Sequence, residues 1–327
     1  MKAIVVRQYG EADVLRIEEV PDPVPGANEL LIQTEIASVN YADIKARQGS
    51  DLNSKTRLPF IPGHEVVGII KGMGSEVPSD FRMGQKVVAL TMTGGYCELA
   101  LAPSHLVFPI PDSLSSHEVA GIVALATAYN ALSYAGRLVS GETVLIHSAA
   151  GGVGSSVVQI AKALGAGMVI GTVGNDAKKS FVESLGADLV LNYYDEHLTE
   201  AILNEVGENG VDLIIDSIGG EMIEEGLHCL APFGRIVILG HTSRKVGLIP
   251  SNILQSENRM AIGYRGRAYI QKRPEVFRNG VQAGIQYLSS GMIRLPIAAR
   301  YPLDKAVDAH RLIESRANLG KVLLEVR

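Results

Sequence analysis

The chain is short of cysteine, of basic charge and of long apolar runs, and each shortage excludes a class of protein. Its two cysteines in 327 residues, Cys97 and Cys229, form neither a CxxC pair nor a disulfide framework. That usage fits a reducing compartment, and a cytoplasmic protein is expected. A net charge of −5 excludes the basic footprint of a general nucleic-acid binder. The N-terminal segment MKAIVVRQYGEADVL meets charge too early for a signal peptide, so none is expected. The least polar stretch, 155–174, is broken by Lys162 and several glycines, so no membrane span is expected either. Repeats, charge blocks and linker-like segments are also absent.

What the chain does have is glycine, 35 of 327 residues or about 11%, against a usual ~7%. The glycines are spread over strand ends and turns, which suits a backbone that turns tightly or approaches a ligand closely. The texture changes near residue 115. Before it, short β-type runs at 3–7, 30–38, 66–73, 86–90 and 96–102 alternate with Pro/Gly turns such as PDPVPG at 21–26. After it, apolar runs at 143–147, 168–173, 189–191, 212–216, 235–239 and 260–264 are spaced by helical segments. In 155–164, Val157, Ile160, Ala161 and Leu164 recur at i, i+3, i+4 and i+7, one buried helix face. Six short apolar strands joined by helices predict a doubly wound parallel sheet of the dinucleotide-binding type. The tail from about 274 adds two helical patterns and a strand at 321–326.

The first strand of that set runs into Ser148-Ala149-Ala150-Gly151-Gly152-Val153-Gly154 and then into the amphipathic helix. A glycine motif alone is weak, but strand before and helix after give it a mechanism. Gly151 would let backbone approach a pyrophosphate, Gly154 would let helix and strand pack, and the helix N-terminus would offer N–H groups to phosphate. An NAD-binding fold usually carries an acid about 20 residues later, on the ribose 2′-OH. Here that place holds Val173, followed by Gly174-Asn175-Asp176-Ala177-Lys178-Lys179. With an apolar residue there and two lysines close by, NADPH is expected over NADH. The alternatives are that the lysines are a solvated helix face and that Asp176 is a first-turn acid.

With these segments the chain resembles the medium-chain dehydrogenase/reductase superfamily, and within it the zinc-independent quinone oxidoreductases of the zeta-crystallin type. The resemblance rests on ASVNYADIKARQG (37–49), PGHEVVGII (62–70), VLIHSAAGGVGSSVVQIAKALGA (144–166), GTVGNDAKK (171–179), NYYDE (192–196), DSIGG (216–220) and AHRLIESRANLGK (309–321). It implies a GroES-like β-rich catalytic domain, 1–118 with 268–327, and a Rossmann NADP(H)-binding domain, 119–267, with NADPH in the cleft between them. It places Asn40 and Thr127 near the nicotinamide, Gly151, Gly152 and Val153 at the pyrophosphate, and Gly174, Asn175, Lys178 and Tyr193 at the 2′-phosphate. Gly240 and Arg316 complete the cofactor contacts. A homodimer with residues 260–264 at the sheet edge is likewise implied.

The zinc alcohol dehydrogenases of the superfamily supply a Cys three residues before an Asp, a GHE motif and a later Cys. Here Asn40 precedes Asp43, Gly63-His64-Glu65 is present, and Val123 holds the later position. An imidazole and a carboxylate facing an amide and an isopropyl group make a poor zinc site. The structural-zinc lobe of four close cysteines is missing too, so no metal is expected. The chemistry implied is zinc-independent hydride transfer from NADPH to a quinone or an α,β-unsaturated carbonyl. Asn40 and Asp43 would position cofactor and substrate, and Tyr41 or His64 would hydrogen-bond the developing oxyanion; Tyr9 and Tyr129 stay open as alternatives. Two other functions remain open: an enoyl-thioester reductase, with Arg265, Arg267, Lys272 and Arg273 as a basic rim, and a non-catalytic NADPH- or RNA-binding protein.

Overall fold

In the computed structural model, residues 1–50 and 56–327 are described, and they form two compact units. The first is Met1–Val123 with Tyr287–Arg327, the second Ala124–Gln286. Among the described residues no helix is long and apolar enough to cross a membrane.

In chain order the first unit begins with β1 (Lys2–Val6), β2 (Leu15–Glu19), β3 (Glu29–Val39), β4 (Glu65–Met73), β5 (Lys86–Leu90), β6 (Leu99–Pro103) and β7 (Val107–Pro109). The second unit supplies β8 (Thr143–Ile146), β9 (Met168–Val173), β10 (Leu189–Asn192), β11 (Val211–Asp216), β12 (Leu230–Ile238) and β13 (Met260–Gly263). The chain then returns to the first unit with β14 (Ile297–Pro302) and β15 (Lys321–Glu325).

The first unit is mostly antiparallel, in the order β14-β15-β3-β4-β5-β7, with β6 also paired to β3. Its spine is β3, whose alternating residues Leu30, Ile32, Thr34 and Ile36 turn into the core. The end of β3 meets the starts of two other strands: Val39 pairs with Val322 of β15, and Ala37 with Val66 of β4. Asn40, Glu65 and Lys321 are thereby set side by side from three distant parts of the sequence. Two strands escape the hydrophobic pattern. LRIEE of β2 is mostly exposed and charged, and IAARYP of β14 alternates partly buried and exposed residues with none fully buried, so neither forms a continuous apolar run.

The second unit is a six-stranded, all-parallel sheet in the order β10-β9-β8-β11-β12-β13, the doubly wound topology of a Rossmann fold. Strands β8, β9 and β11 are buried along nearly their whole length, which is why they read as continuous apolar runs. The exception is β13, at the sheet edge, where Met260, Ala261 and Gly263 are exposed rather than covered. Arg235 of β12 is buried and directs five hydrogen bonds, two onto Glu142 and the others onto the Gly136, Arg137 and Asp212 carbonyls. All of its donors are therefore satisfied.

The compact units divide at 123/124 and 286/287, against 118/119 and 267/268 in the expectation from sequence. The later second boundary has a packing cause. Helix Pro274–Ser289 buries Phe277 and Val281 in the second unit, and a Cβ at Gly280 would meet Asn130 at 2.7 Å.

Candidate active site and nucleotide loop

The helix Tyr41–Gln48 starts straight after β3, and its first turn carries three of the residues singled out from sequence. Asp43 is fully buried. Its Oδ1 accepts from the Gly63 N–H at 3.1 Å and lies 2.5 Å from His64 Nδ1. Its Oδ2 accepts from the Asn40 N–H at 2.8 Å and the Tyr96 hydroxyl at 3.1 Å. Burial works to raise the Asp43 pKa, but the His64 charge and hydrogen bond together with the Asn40 N–H hold it below the ordinary carboxylate value. With Nδ1 on Asp43, His64 turns Nε2 away from that carboxylate, and its side chain remains partly exposed.

Behind Asp43 the chain of contacts continues inward. The Tyr96 oxygen lies 3.1 Å from His310 Nε2, and burial lowers His310 to about 4, so the ring is neutral. Since Tyr96 gives its one proton to Asp43, His310 Nε2 carries a hydrogen and Nδ1 does not; Nδ1 is buried without a partner. Arg47, also buried, pairs with Glu314. Asn40 is tied on both ends of its amide. Nδ2 donates to Glu65 Oε1 at 3.1 Å and to the Ser38 carbonyl at 3.3 Å, and Oδ1 accepts from Lys321 Nζ at 2.8 Å. Tyr41 is half-buried under the Lys45 ammonium, 5.5 Å from its ring centroid. Tyr9, the alternative, donates its hydroxyl to the Thr56 carbonyl.

In the second unit β8 leads into the glycine loop, and the helix Gly152–Ala163 begins at its end. Its first i→i−4 bond runs from the Ser155 N–H to the Gly151 carbonyl, so the Gly152, Val153 and Gly154 N–H groups precede it. A Cβ at Gly154 would sit 2.3 Å from the Ser148 carbonyl oxygen, a contact only glycine allows. A Cβ at Gly151 would meet nothing nearer than 3.6 Å. At the end of β9, Val173 is buried and Gly174 lies against the Tyr193 ring, whose hydroxyl would be 2.3 Å from a Cβ there.

Asn175 accepts from the Ala177 N–H, turning the chain so that half-buried Lys178 follows. Burial lowers the Lys178 pKa. Lys179 pairs with Asp176 at 3.1 Å, and Asp176 also accepts from Asn192, so both have partners within the protein. Thr127 lies on helix Ile122–Asn130 with Tyr264 beside it, and Gly240 follows β12. In the first unit, Arg316 occupies a left-handed turn (φ 57°) after helix Ala306–Glu314.

Comparison with known proteins now adds to this geometry. Residues 26–112 match the alcohol dehydrogenase GroES-like domain and 152–282 the zinc-binding dehydrogenase family. The quinone oxidoreductase of Rattus norvegicus is 33% identical over 99% of this chain and 97% of its own length. That of Mus musculus is 34% identical over the same shares. The chain belongs to the quinone oxidoreductase family. It is an oxidoreductase of the medium-chain dehydrogenase/reductase superfamily, as the resemblance in its motifs implies. Among solved structures, the Escherichia coli quinone oxidoreductase complexed with NADPH matches with a TM-score of 0.92 and 30% identity, over 99% of this chain and 100% of that one. A mycobacterial protein complexed with NADPH matches with the same values.

Four members of the first unit's polar network escape motif reading in this quinone oxidoreductase family member: Glu65 in this role, Tyr96, His310 and Lys321. One signal was available. His310 falls on the inward stripe of its helix, with Ala306 and Ala309 buried and Ile313 partly buried, an imidazole where the pattern calls for an apolar side chain.

Proposed function

We propose that the protein transfers hydride from NADPH to a quinone or an α,β-unsaturated carbonyl, without zinc. The observation that carries this is the commitment of the groups a zinc ion would need. Glu65 accepts from Asn40 and from the Val123 N–H at 2.9 Å and pairs with Lys321 at 3.5 Å, while His64 is held by Asp43. Among the described residues no group of three or more His, Cys, Asp or Glu side chains is placed to hold a metal ion. Saturated carbonyls depend more on a Lewis acid or strong proton donor to accept hydride than quinones and enones do, because in the latter the charge develops on a conjugated oxygen.

The glycine loop fits a dinucleotide, since Gly151 leaves open space at the helix N-terminus and Gly154 keeps the helix seated. Gly151, Gly152 and Val153 would hold the pyrophosphate, and Gly174, Asn175, Lys178 and Tyr193 the 2′-phosphate. Asn40 and Thr127 would serve the nicotinamide end, with Gly240 and Arg316 completing the set. When bound, NADPH supplies a hydride from its nicotinamide ring. Asp43 orients His64, which holds a proton on Nε2 for the acceptor oxygen as charge develops there; Tyr41 is the neighbouring hydroxyl. The same reading takes the protein as a cytoplasmic homodimer, with exposed β13 as the edge available to a second copy.

Steady-state rates with an acceptor panel test the reaction class. Quinones and enones should oxidise NADPH much faster than saturated aldehydes or crotonyl-CoA, and a metal chelator should change nothing. Preference for crotonyl-CoA would move the reading to an enoyl-thioester reductase, and binding with no turnover to a non-catalytic role. For the cofactor, Lys178→Ala should raise the Michaelis constant for NADPH far more than for NADH; equal effects would sink that part.

A further inference from the structure

We infer that Ser148 is a further cofactor-binding residue, whose hydroxyl donates a hydrogen bond to a pyrophosphate oxygen of NADPH. The inference rests on the reading of the glycine loop as the pyrophosphate site and deepens it.

Ser148 lies two residues past β8 with φ 59°, in the left-handed region that residues other than Gly, Asn and Asp rarely adopt. The turn directs the Ser148 carbonyl toward the start of the helix Gly152–Ala163. There it accepts the Gly151 N–H at 3.2 Å and leaves no room for a Cβ at Gly154. Glycine would make this turn without steric cost. What serine adds over glycine is one hydroxyl, held in spite of that cost.

The hydroxyl is uncommitted. Among the described residues Ser148 Oγ has no hydrogen-bond partner. Its neighbours differ: Ser155 and Ser156 donate to the Gly152 carbonyl at 3.3 and 2.9 Å, and Thr172 Oγ1 lies 3.0 Å from His147 Nδ1. Ser148 is partly exposed, and its Oγ borders the open space over Gly151 without filling it, 3.9 Å from where a Cβ there would sit.

Two backbone donors beside it are already spent, the Ala149 N–H on the Thr172 carbonyl and the Gly151 N–H on the Ser148 carbonyl. The Gly152, Val153 and Gly154 N–H groups stand on the helix side of the loop, so the hydroxyl supplies a donor from the strand side. A pyrophosphate carries anionic oxygens on both phosphorus atoms and can accept from both sides.

The test uses the full-length protein, with NADPH affinity from fluorescence titration, affinity for adenosine 2′-monophosphate from calorimetry, and melting temperature. Adenosine 2′-monophosphate has the adenosine and the 2′-phosphate but no pyrophosphate. We expect Ser148→Ala to weaken NADPH binding about 5- to 20-fold, the loss of one hydrogen bond to a charged oxygen. The monophosphate should bind as it does to the wild type. Ser148→Gly should lose as much NADPH affinity yet melt at a higher temperature than Ser148→Ala, because it relieves the left-handed turn. Wild-type NADPH affinity in either variant would overturn the inference, and in Ser148→Gly alone it would assign the effect to the backbone. A parallel loss for the monophosphate would overturn it too, as the mark of a displaced loop. If the wild-type protein itself does not bind NADPH, the cofactor reading fails and this inference with it; losses confined to the variants bear on Ser148 alone.

Discussion

The two units prepare for a ligand by opposite means. The second offers bare backbone: glycines at the end of β8 and β9, with side chains kept out of the way. The first offers oriented side chains, each held from behind by another buried polar group, as Asp43 holds His64 and Tyr96 holds Asp43. Backbone needs only space and the correct turn, whereas a side chain with rotatable bonds needs partners that fix it. One unit should therefore break when a methyl group is added, and the other when a hydrogen bond is removed.

The largest effect is expected in the first unit. Asp43→Asn keeps the shape but sets an amide donor among four donors, the Gly63 and Asn40 N–H groups, Tyr96 and His64. We expect about 3–5 kcal/mol of stability lost in urea unfolding; a loss under 1 kcal/mol would show that the network is not tightly coupled.

Acid sharpens the contrast next. His310 of the first unit and His147 of the second are both lowered by burial to about 4 from 6.5. Below pH 6.5 the unfolded chain takes up protons that the folded histidines refuse. Stability therefore falls from pH 6.5 down to about 4, by roughly 3 kcal/mol per histidine at most. The second unit has an offset. Asp216 is raised by burial to about 6, so its folded form takes up a proton early and gains stability as pH falls from 6 toward 3.8. Hydrogen exchange at pH 4.5 should show the first unit loosening before the second, and the reverse order would contradict this assignment.

In the second unit, Gly154→Ala places a methyl 2.3 Å from the Ser148 carbonyl, and about 1–3 kcal/mol should be lost in thermal unfolding. The smallest effect is the most discriminating. Gly151→Ala meets only ordinary contacts, so stability should change by less than about 0.5 kcal/mol. Its NADPH affinity should nevertheless drop, because the methyl occupies the space left for the phosphates. Unchanged affinity would mean the loop's openness serves no ligand.

Much of the fold could be read in advance, for reasons that also mark where reading stopped. Strands β8, β9 and β11 are buried on both faces, so composition alone exposes them, and the loop 148–154 announces itself because only glycine tolerates Gly154's contact. Strand β2 is mostly exposed and charged and β14 has no fully buried residue, so neither forms the continuous apolar run that marks the others. The helix Pro274–Ser289 was visible as a helix, but which unit it joins depends on Phe277, Val281 and Gly280 finding their neighbours.

By itself, then, the sequence determined the local features: the strand–loop–helix that fits a nucleotide, the lysine after Asn175, the histidine beside Glu65. It did not determine what those side chains face. Asn40 meets Glu65 across 25 positions and Lys321 across 281, brought together only by the pairing of β3 with β4 and β15. Periodicity reports which face of an element is buried. Which donor meets which acceptor on that face is set by strand register between distant segments, and that only the tertiary structure decided.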